Sequence, residues 1–225
     1  MKNLTRIKGD ASFRNFFRKK NRTHTSVIVF AKKEKYKNLL VYDAINKILN
    51  KNKILAPNLY KENYTKNYIE VQDFGDETIF KILSKKKTNK FNYFKKIINL
   101  LNTIQLIKSK KIKNFKNKNY QIREYKKNIL FDEAKLFCDW YVPKKLSRKK
   151  CNLFNLKFKK EIRYLLSKLK YKNDTFVHRD FHVSNLVVGL NKKIGVIDNQ
   201  DALIGNKAYD LASLIDDVRF KTTNS

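Results

Sequence analysis

The chain has 225 residues, of which 42% are hydrophobic and 13% aromatic, so it can form the core of one large domain or two small lobes. This composition excludes wholesale disorder. Lys and Arg number 52 against 20 Asp and Glu, which gives a formal net charge of +32. Because 43 of the cations are Lys and they are spread along the chain, we interpret most of them as solvated surface and disfavour a nucleic-acid site.

The sequence contains no apolar run of about 18 residues, and no apolar segment follows its N-terminal MKNLTRIKGD. We therefore expect neither a membrane span nor a signal peptide, and we expect a cytoplasmic location. The cysteines, Cys138 and Cys151, lack the spacing of a zinc or redox pair, which is consistent with a reducing compartment.

The first third of the chain predicts strands around one helix. Residues 13–17 and 27–31 are β-compatible runs joined by a polar turn at 20–25, a pattern typical of an antiparallel hairpin. Apolar residues at helical spacing predict a helix over 36–50, and residues 68–71 predict a further strand.

From about residue 91 the apolar residues recur at the helical period, which predicts three helices that face a core. The Lys-rich stretches 84–90 and 108–119 predict loops. Because strands come first and helices later, we expect an α+β, two-lobed protein. The three apolar stripes are Phe94, Ile97, Ile98, Leu101 and Ile104; Ile122, Tyr125, Ile129 and Leu136; and Phe158, Ile162, Leu165, Leu166 and Leu169.

Residues 174–217 depart from the basic composition, since they hold seven Asp, no Glu and four Lys or Arg. Short carboxylates at fixed positions suit divalent-metal binding or proton acceptance better than they suit a helix surface. In this segment the runs LVV and IGVID around a turn at 189–192 predict a short hairpin. Apolar residues over 208–215 predict a final amphipathic helix.

The sequence His178-Arg179-Asp180, followed by Asn185, has the D-x-x-x-x-N spacing of a kinase catalytic loop. In such a loop the Asp takes a hydroxyl proton and the Asn holds a metal ion. The predicted hairpin returns Asp198 to the neighbourhood of Asn185, where the same Mg²⁺ needs a carboxylate. An accidental HRD between two strands is the alternative, which the agreement of all three elements disfavours.

Several segments resemble a known family. HRDFHVSNLVV, IGVIDNQDALIG and YDLASLIDD resemble the catalytic end of the aminoglycoside phosphotransferase/choline kinase-like superfamily, whose fold is similar to that of the protein kinases. GDASFRNFFR at 9–18 and IEVQDFGDET at 69–78 resemble the bacterial anomeric sugar kinases that phosphorylate N-acetylmuramate and N-acetylglucosamine at C1 in cell-wall recycling. The resemblance implies a protein-kinase-like fold with a small, β-rich N-lobe over 1–75 and a mostly helical C-lobe over 76–225.

The resemblance also implies nucleotide-binding residues in the N-lobe. Gly9, Ser12 and Arg14 would lie in or beside the loop that holds the phosphates, and a polar β-turn is the alternative for this segment. The backbone around Glu70 and Gln72 would form the interlobe hinge that pairs with adenine.

In the C-lobe, the resemblance implies that Asp180 is the catalytic base and that Asn185 and Asp198 hold the metal ion. Residues 73–75 spell the DFG metal motif of protein kinases, but they precede the catalytic loop, so Asp198 has that role instead. We expect His178 to pack under the loop and not to titrate in catalysis.

Four further residues are candidate contacts to the acceptor or to the transferred phosphate: Arg179, His182, Gln200 and Asp201. Ordinary exposed-loop polarity, or a turn cap at Asp201, is the alternative. Asp210 is expected to be structural and to accept hydrogen bonds from the catalytic loop backbone, as the resemblance implies.

Three features depart from the family pattern. Residues 27–30 contain no Lys to grip the phosphates, which leaves Lys32 or Lys33 as displaced candidates. Asn199 stands where the family usually has Phe, and we expect it to loosen local packing. The family's second lobe normally continues with helices that cover the acceptor site, so we expect a chain truncated at its C-terminus with an incomplete C-lobe.

Together these features predict an ATP- and Mg²⁺-dependent phosphotransferase with an alcohol group as acceptor, monomeric when full length and without a membrane partner. An amino sugar is the favoured acceptor, and choline, an aminoglycoside or another alcohol stays open. The alternative from another class is a degenerate kinase fold that binds nucleic acid through its basic surface.

Overall fold

The computed structural model describes residues 4–7, 14–31, 38–170, 172–189 and 192–220. Its first lobe is built on five antiparallel strands: β1 (Leu4–Ile7), β2 (Arg14–Lys20), β3 (Thr25–Ala31), β4 (Leu59–Asn63) and β5 (Tyr68–Gln72). They form one sheet with the order β1-β2-β3-β5-β4. The predicted hairpin is confirmed, because Phe16 on β2 pairs with Val29 on β3. The strand predicted at 68–71 is also confirmed, and it lies inside the sheet as β5.

The helix predicted at 36–50 is confirmed as α1 (Asn38–Lys51). Its Leu39 belongs to the apolar cluster under the sheet, whereas Ile45 and Ile48 belong to the larger core of the second lobe. Polar Asn46 is also buried on this helix. Therefore α1 lies between the two cores and contacts both lobes.

The second lobe contains five α-helices within the described ranges: α2 (Ile79–Leu83), α3 (Lys90–Gln105), α4 (Lys127–Leu136), α5 (Arg148–Lys168) and α6 (Ala208–Ile215). The core-facing prediction is confirmed for α3, whose Ile97, Leu101 and Ile104 are buried. The predicted final helix is confirmed as α6. No helix in the described part of the chain combines the length and the apolar character needed to cross a bilayer.

The other two predicted stripes behave differently. Ile122 and Tyr125 are buried, but they precede α4, and Leu136 at its end is exposed. The core-facing prediction is wrong for α5, where Leu165 is exposed and Cys151 is the buried residue. The reason is that α5 packs against α4 and the π-helical turn Phe137–Tyr141, and no further layer of the described residues covers its other apolar side.

Four short strands carry the segment rich in Asp: β8 (Thr175–Val177), β9 (Leu186–Val188), β10 (Ile194–Val196) and β11 (Leu203–Gly205). The predicted hairpin is confirmed, because Leu186 on β9 pairs with Val196 on β10. A second antiparallel pair joins β8 to β11. As a result, the loop after β8 and the turn after β10 lie at the same end of the second lobe.

Part of the stretch predicted as a loop at 108–119 is instead a hairpin of β6 (Lys111–Lys113) and β7 (Asn119–Gln121). The connection between these strands reaches the first lobe. The Phe115 ring packs edge-on against the Tyr64 ring at 5.8 Å, and Lys116 Nζ lies 3.2 Å from Glu62 Oε1. The hairpin therefore joins the lobes on the side away from the hinge.

A second interlobe contact lies beside the hinge, and we call it the Arg18 clamp (Arg18, Asp73 and Asp76). Arg18 on β2 donates to both carboxylate oxygens of Asp73, at 2.6 and 3.1 Å, and to both of Asp76, at 2.7 and 2.9 Å. The Asp73 side chain is only 3% exposed. The DFG sequence at 73–75 thus forms a structural ion pair, in agreement with its exclusion as a metal motif.

Replacing Phe115 by Ala should lower the free energy of unfolding by about 1–2 kcal/mol, because the ring is partly buried between the lobes. Phe91 on α3 is 77% exposed and serves as a control. Phe91→Ala should change the same quantity by less than about 0.5 kcal/mol. Urea denaturation followed by circular dichroism measures both, and equal losses would contradict an interlobe role for the hairpin.

Replacing Asp73 by Asn should destabilise the protein at neutral pH by about 1–3 kcal/mol, since the bonds to Arg18 are charge-assisted. Burial alone would raise the pKa of Asp73, but hydrogen bonds from Arg18, Gly75 and Thr25 hold it below its usual value. The folded-state pKa is thus lower than the unfolded one. This contribution is present above about pH 4 and is lost as the pH falls through the folded-state value.

Unfolding free energies of wild type and Asp73→Asn should therefore converge on acidification. The control is Asp76→Asn, because the Asp76 side chain is 66% exposed and its bonds are screened by solvent. A constant difference between wild type and Asp73→Asn from neutral to acidic pH would refute the pH dependence.

Candidate active site

The loop between β8 and β9 is held by a buried carboxylate. Asp210 on α6 is 1% exposed, and its two oxygens accept the backbone N–H groups of His178 at 2.7 Å and Arg179 at 3.0 Å. The hydrogen bonds expected of Asp210 are therefore present. Burial raises the pKa of this carboxyl. Arg179 has a φ of 74°, a left-handed conformation that is costly for a residue with a Cβ, and it turns the chain so that Asp180 follows at the cleft.

The Asp180 carboxylate faces the cleft with its orientation fixed by two neighbours. Asn185 Nδ2 donates to Asp180 Oδ2 at 2.8 Å, and His182 Nε2 lies 3.1 Å from Asp180 Oδ1. His182 Nδ1 accepts the Ser184 N–H, which assigns the hydrogen to Nε2 as the donor. The bond from His182, followed by that from Asn185, lowers the pKa of Asp180 despite its partial burial. The carboxylate is ionised at neutral pH and can accept a hydrogen bond from a hydroxyl group.

The hairpin places Asp198 beside Asn185. The backbone N–H of Ile197 donates to the Asn185 carbonyl at 3.0 Å, so the two ends of the hairpin touch. Asp198 has a φ of 63°, and its side chain is 38% exposed. Asp180, Asn185 and Asp198 all line one cavity of about 390 Å³ between the lobes. The convergence predicted from the spacing is thus present.

Asn185 and Asp198 fit the requirements of Mg²⁺. Because Asn185 Nδ2 is bonded to Asp180, its amide oxygen points away from that carboxylate and is available as a ligand. An amide oxygen and a carboxylate are hard donors, and Mg²⁺ typically uses one or two carboxylates with water and substrate phosphates. Within the described ranges no group of three or more His, Cys, Asp or Glu could hold a metal. These residues therefore suit a cation that arrives with a phosphate ligand.

Apolar side chains line the part of the cavity between the sheet and the β9–β10 hairpin. They come from β1, β2, β3 and β5 above and from the hairpin below, so they form a slot. The polar residues of the loop and the Arg18 clamp line the same cavity. The apolar residues are Ile7, Phe16, Val27, Val71, Val187 and Ile197.

The hinge residues need a correction. Glu70 does not line the cavity, and its backbone pairs with Ile28 on β3 and with Lys61 on β4. Its carboxylate accepts hydrogen bonds from Ser26 and Lys19. An interior strand uses its N–H and C=O groups in ladders on both sides, so Glu70 has none left for a ligand.

Gln72 lines the cavity, but its backbone N–H donates to the Asn58 carbonyl at 2.8 Å. The backbone that can pair with a ligand therefore begins after β5, at residues 73–75, apart from the Gly75 N–H, which donates to Asp73 Oδ1 at 2.8 Å.

Arg14 does not line the cavity, but it places a cation beside Asp198, which does. It begins β2 opposite Ala31, is 7% exposed, and its Nη1 donates to Asn38 Oδ1 on α1 at 3.3 Å. Its Nη2 lies 3.5 Å from Asp198 Oδ1 and 3.9 Å from Asp201 Oδ2. The other predicted phosphate-loop residues, Gly9 and Ser12, and the displaced candidates Lys32 and Lys33 lie outside the described residues.

Arg179 does not face the cleft, contrary to its candidate role as an acceptor contact. Its guanidinium pairs with Glu133 on α4, lies 5.2 Å from the Tyr125 ring and donates to the Asp201 carbonyl at 3.3 Å. The reversed backbone at Arg179 sends its side chain away from the cavity that Asp180 lines. It connects the loop to α4.

The remaining acceptor candidates divide by exposure. His182 lines the cavity, but it is only 5% exposed and is bonded to Asp180. This contact positions the Asp180 carboxylate. Gln200 is buried, and its Nε2 donates to Asp198 Oδ1 at 3.1 Å and to Asp201 Oδ2 at 2.9 Å. The Asp201 side chain is 58% exposed, which leaves it accessible at the edge of the site.

The expectation that Asn199 loosens local packing is wrong. Asn199 is fully buried, and its Nδ2 donates to Asn46 Oδ1 on α1 at 2.8 Å. Its Oδ1 lies 2.8 Å from His178 Nε2. His178 is buried under the loop as expected. Asn46 was not predicted from the sequence. The signal that could have identified it is an Asn inside the apolar stripe of a predicted helix.

Comparison with curated proteins finds amino sugar kinases. The chain is 26% identical over 214 residues to the N-acetylmuramate/N-acetylglucosamine kinase of Neisseria meningitidis serogroup B, with 95% of this chain and 61% of that protein covered. It is 25% identical to the enzyme of the same name from Pseudomonas putida, with 95% and 59% covered. The chain thus spans about three fifths of the length of these relatives.

Solved structures with the same fold include a spectinomycin phosphotransferase in complex with ADP and spectinomycin, with a TM-score of 0.61 at 16% identity and 92% of this chain and 66% of that chain covered. The choline kinase LicA from Streptococcus pneumoniae has a TM-score of 0.62 at 13% identity, with 94% and 68% covered. The aminoglycoside phosphotransferase APH(4)-Ia has a TM-score of 0.65 at 11% identity, with 94% and 70% covered. These likenesses confirm the protein-kinase-like, two-lobed fold.

Comparison with protein-family models finds a match to nearly the whole sequence. The model of the APH phosphotransferase enzyme family matches residues 3–225, from the first strand past the last helix. The resemblance carried by the motifs around Asp180 and Asp198 is thereby confirmed, and the chain belongs to the phosphotransferase enzyme family.

Proposed function

We propose that this protein transfers the γ-phosphoryl group of Mg·ATP to a hydroxyl group of a small molecule. The observation that carries the proposal is the convergence of Asp180, Asn185 and Asp198 on one interlobe cavity. Phosphoryl transfer depends mainly on positioning and on charge neutralisation, and these three side chains supply both.

The cavity divides into a base end and a phosphate end. The apolar slot accepts the flat faces of adenine, and the backbone at 73–75 lies at the hinge to pair with its edge. At the other end, Asn185 and Asp198 would hold the Mg²⁺ that neutralises the phosphate oxygens when bound. Arg14 lies beside Asp198 and adds a positive charge where β3 has no Lys.

Asp180 acts on the acceptor. Its ionised carboxylate accepts a hydrogen bond from the acceptor hydroxyl and orients the oxygen for in-line attack on the γ-phosphorus. It takes the hydroxyl proton as the new P–O bond forms, while the bond from the γ-phosphorus to the β–γ bridging oxygen breaks and ADP leaves. His182 and Asn185 hold the carboxylate still during this step. This arrangement keeps the attacking oxygen on the side of the cleft that the second lobe forms.

The favoured acceptor is an amino sugar such as N-acetylmuramate or N-acetylglucosamine, phosphorylated at C1 in cell-wall recycling in the cytoplasm. The support is the name shared by the curated relatives, at 25–26% identity over most of this chain. Choline, an aminoglycoside or another alcohol is an alternative outcome of a substrate panel. Nucleic-acid binding by the basic surface is tested by salt titration, since phosphate contacts weaken steeply with salt.

Replacing Asp180 by Asn should abolish phosphoryl transfer and leave nucleotide affinity within about twofold of wild type, because Asp180 contacts the acceptor side of the reaction. ADP release is measured with a panel of N-acetylmuramate, N-acetylglucosamine, choline and an aminoglycoside, and ATP binding by calorimetry. Wild-type turnover in Asp180→Asn would remove Asp180 as the base. No binding of Mg·ATP to the wild type at millimolar nucleotide would overturn the proposed function.

Replacing Arg14 by Met should weaken ATP binding by about tenfold, because a charge-assisted contact to phosphate contributes about 1.5–3 kcal/mol and bound Mg²⁺ compensates in part. Arg22→Met is the control, since Arg22 lies in the exposed turn between β2 and β3. Calorimetric titration with ATP and with adenosine separates phosphate from base contacts. Equal weakening for both ligands would place Arg14 outside the phosphate site.

A further inference from the structure

We propose that Asn46 and Asn199 are positioning residues that fix the metal-binding end of the cleft to helix α1. The inference rests on the proposed function of the same site. It concerns a buried interlobe hydrogen-bond chain, defined as Asn46, Asn199, His178 and the backbone N–H of Asp180. This chain crosses the molecule from the first lobe to the residue proposed as the base.

The two side-chain bonds of the chain are short and buried, and the bond to the Asp180 backbone is longer and partly buried. Asn199 Nδ2 donates to Asn46 Oδ1 at 2.8 Å, His178 Nε2 lies 2.8 Å from Asn199 Oδ1, and the Asp180 N–H donates to His178 Nδ1 at 3.3 Å. Asn46 is 3% exposed, and both His178 and Asn199 are fully buried. A buried polar side chain that loses its partner costs the full desolvation of the group, so these bonds strongly constrain the geometry.

The orientations of Asn199 and His178 in the chain are determined by their partners. Asn199 Nδ2 also faces the Val196 carbonyl at 3.1 Å, so it must be the amide nitrogen and its Oδ1 must face His178. His178 Nε2 also faces the Ile197 carbonyl at 3.1 Å, which assigns its hydrogen to that nitrogen. Because donors and acceptors run in one direction, a side chain of equal size without this pattern cannot replace Asn199.

The hydrogen-bond chain acts on Asp198 through the backbone. Asn199 directly follows Asp198, whose φ of 63° reverses the direction of the backbone there. An anchored Asn199 side chain therefore fixes the direction in which the Asp198 carboxylate enters the cleft. On α1, Asn38 lies about two helical turns before Asn46, and it accepts a hydrogen bond from Arg14. Helix α1 therefore contacts both the cation beside Asp198 and the residue that follows Asp198.

The test separates positioning of the metal ligand from general stability. The variants are Asn46→Leu and Asn199→Leu, and ATP affinity is measured by calorimetry in excess Mg²⁺ and in EDTA. We expect the Mg²⁺-dependent gain in ATP affinity to fall about five- to tenfold in each variant while the affinity in EDTA stays within about twofold. The double variant should lose no more than either single one, because both remove the same bond.

Asn50→Leu is the matched control. Asn50 lies one turn beyond Asn46 on α1, and its side chain is also hydrogen-bonded, to Asn58 and to the Ala56 N–H, but it does not contact the hairpin chain. In Asn50→Leu, the Mg²⁺-dependent gain in ATP affinity should equal that of wild type. Asn199→Asp gives a second, isosteric test, since it presents a carboxylate oxygen to the Asn46 and Val196 carbonyl oxygens and should lose the gain as well.

The outcomes distinguish the two proposals. A wild-type protein without Mg²⁺-dependent ATP binding contradicts the proposed function itself. A wild-type gain that survives in Asn46→Leu, Asn199→Leu and Asn199→Asp overturns the positioning role and leaves the proposed function intact. Equal losses of ATP affinity in Mg²⁺ and in EDTA, together with a lowered melting temperature, also overturn the positioning role, because they indicate a structural role alone. A Leu variant that does not fold is replaced by Ala at the same position, with the same criteria.

Discussion

The geometry of the site depends on one buried carboxylate. Asp210 accepts two consecutive N–H groups of the loop, and a carboxylate with two such bonds admits little freedom in the backbone that supplies them. With His178 and Arg179 fixed, the left-handed φ at Arg179 follows, and successive side chains leave the loop in opposite directions. Arg179 goes to Glu133 and Asp180 to the cleft. The strain at Arg179 is thus offset by α6 and α4 together.

The lobes are joined by apolar packing, since α1 contributes Ile45 and Ile48 to the core of the second lobe, and also by polar contacts around the cavity. The polar contacts include the Arg18 clamp beside the hinge, the pair of Lys116 with Glu62 from the β6–β7 hairpin, and the bond between Asn46 and Asn199. Polar contacts specify direction as well as distance. Such contacts suit a fold in which a nucleotide must lie between two lobes and meet carboxylates from one and a cation from the other.

Local features of the site could be predicted from the sequence, and tertiary ones could not. The spacing from Asp180 to Asn185 and the short hairpin to Asp198 depend on neighbouring residues, so motif and turn signals were sufficient. The resemblance places Glu70 in the hinge, but the order of the strands makes β5 an interior strand with its backbone used on both sides. The direction of the Arg179 side chain depends on a φ that Asp210 imposes from about 30 residues away.

Helix α5 and Asn199 both show that the sequence does not specify which residues pack against each other. The apolar stripe of α5 has helical periodicity, and periodicity predicts a helix without specifying what packs on it. Asn199 differs from the Phe expected of the family, and a comparison of residue types alone suggests a loss of packing. The loss does not occur because Asn46, on a helix 153 residues away in sequence, supplies a matching amide oxygen. A buried polar pair such as Asn46 and Asn199 is recognised only when both partners are known, so one position alone does not predict it.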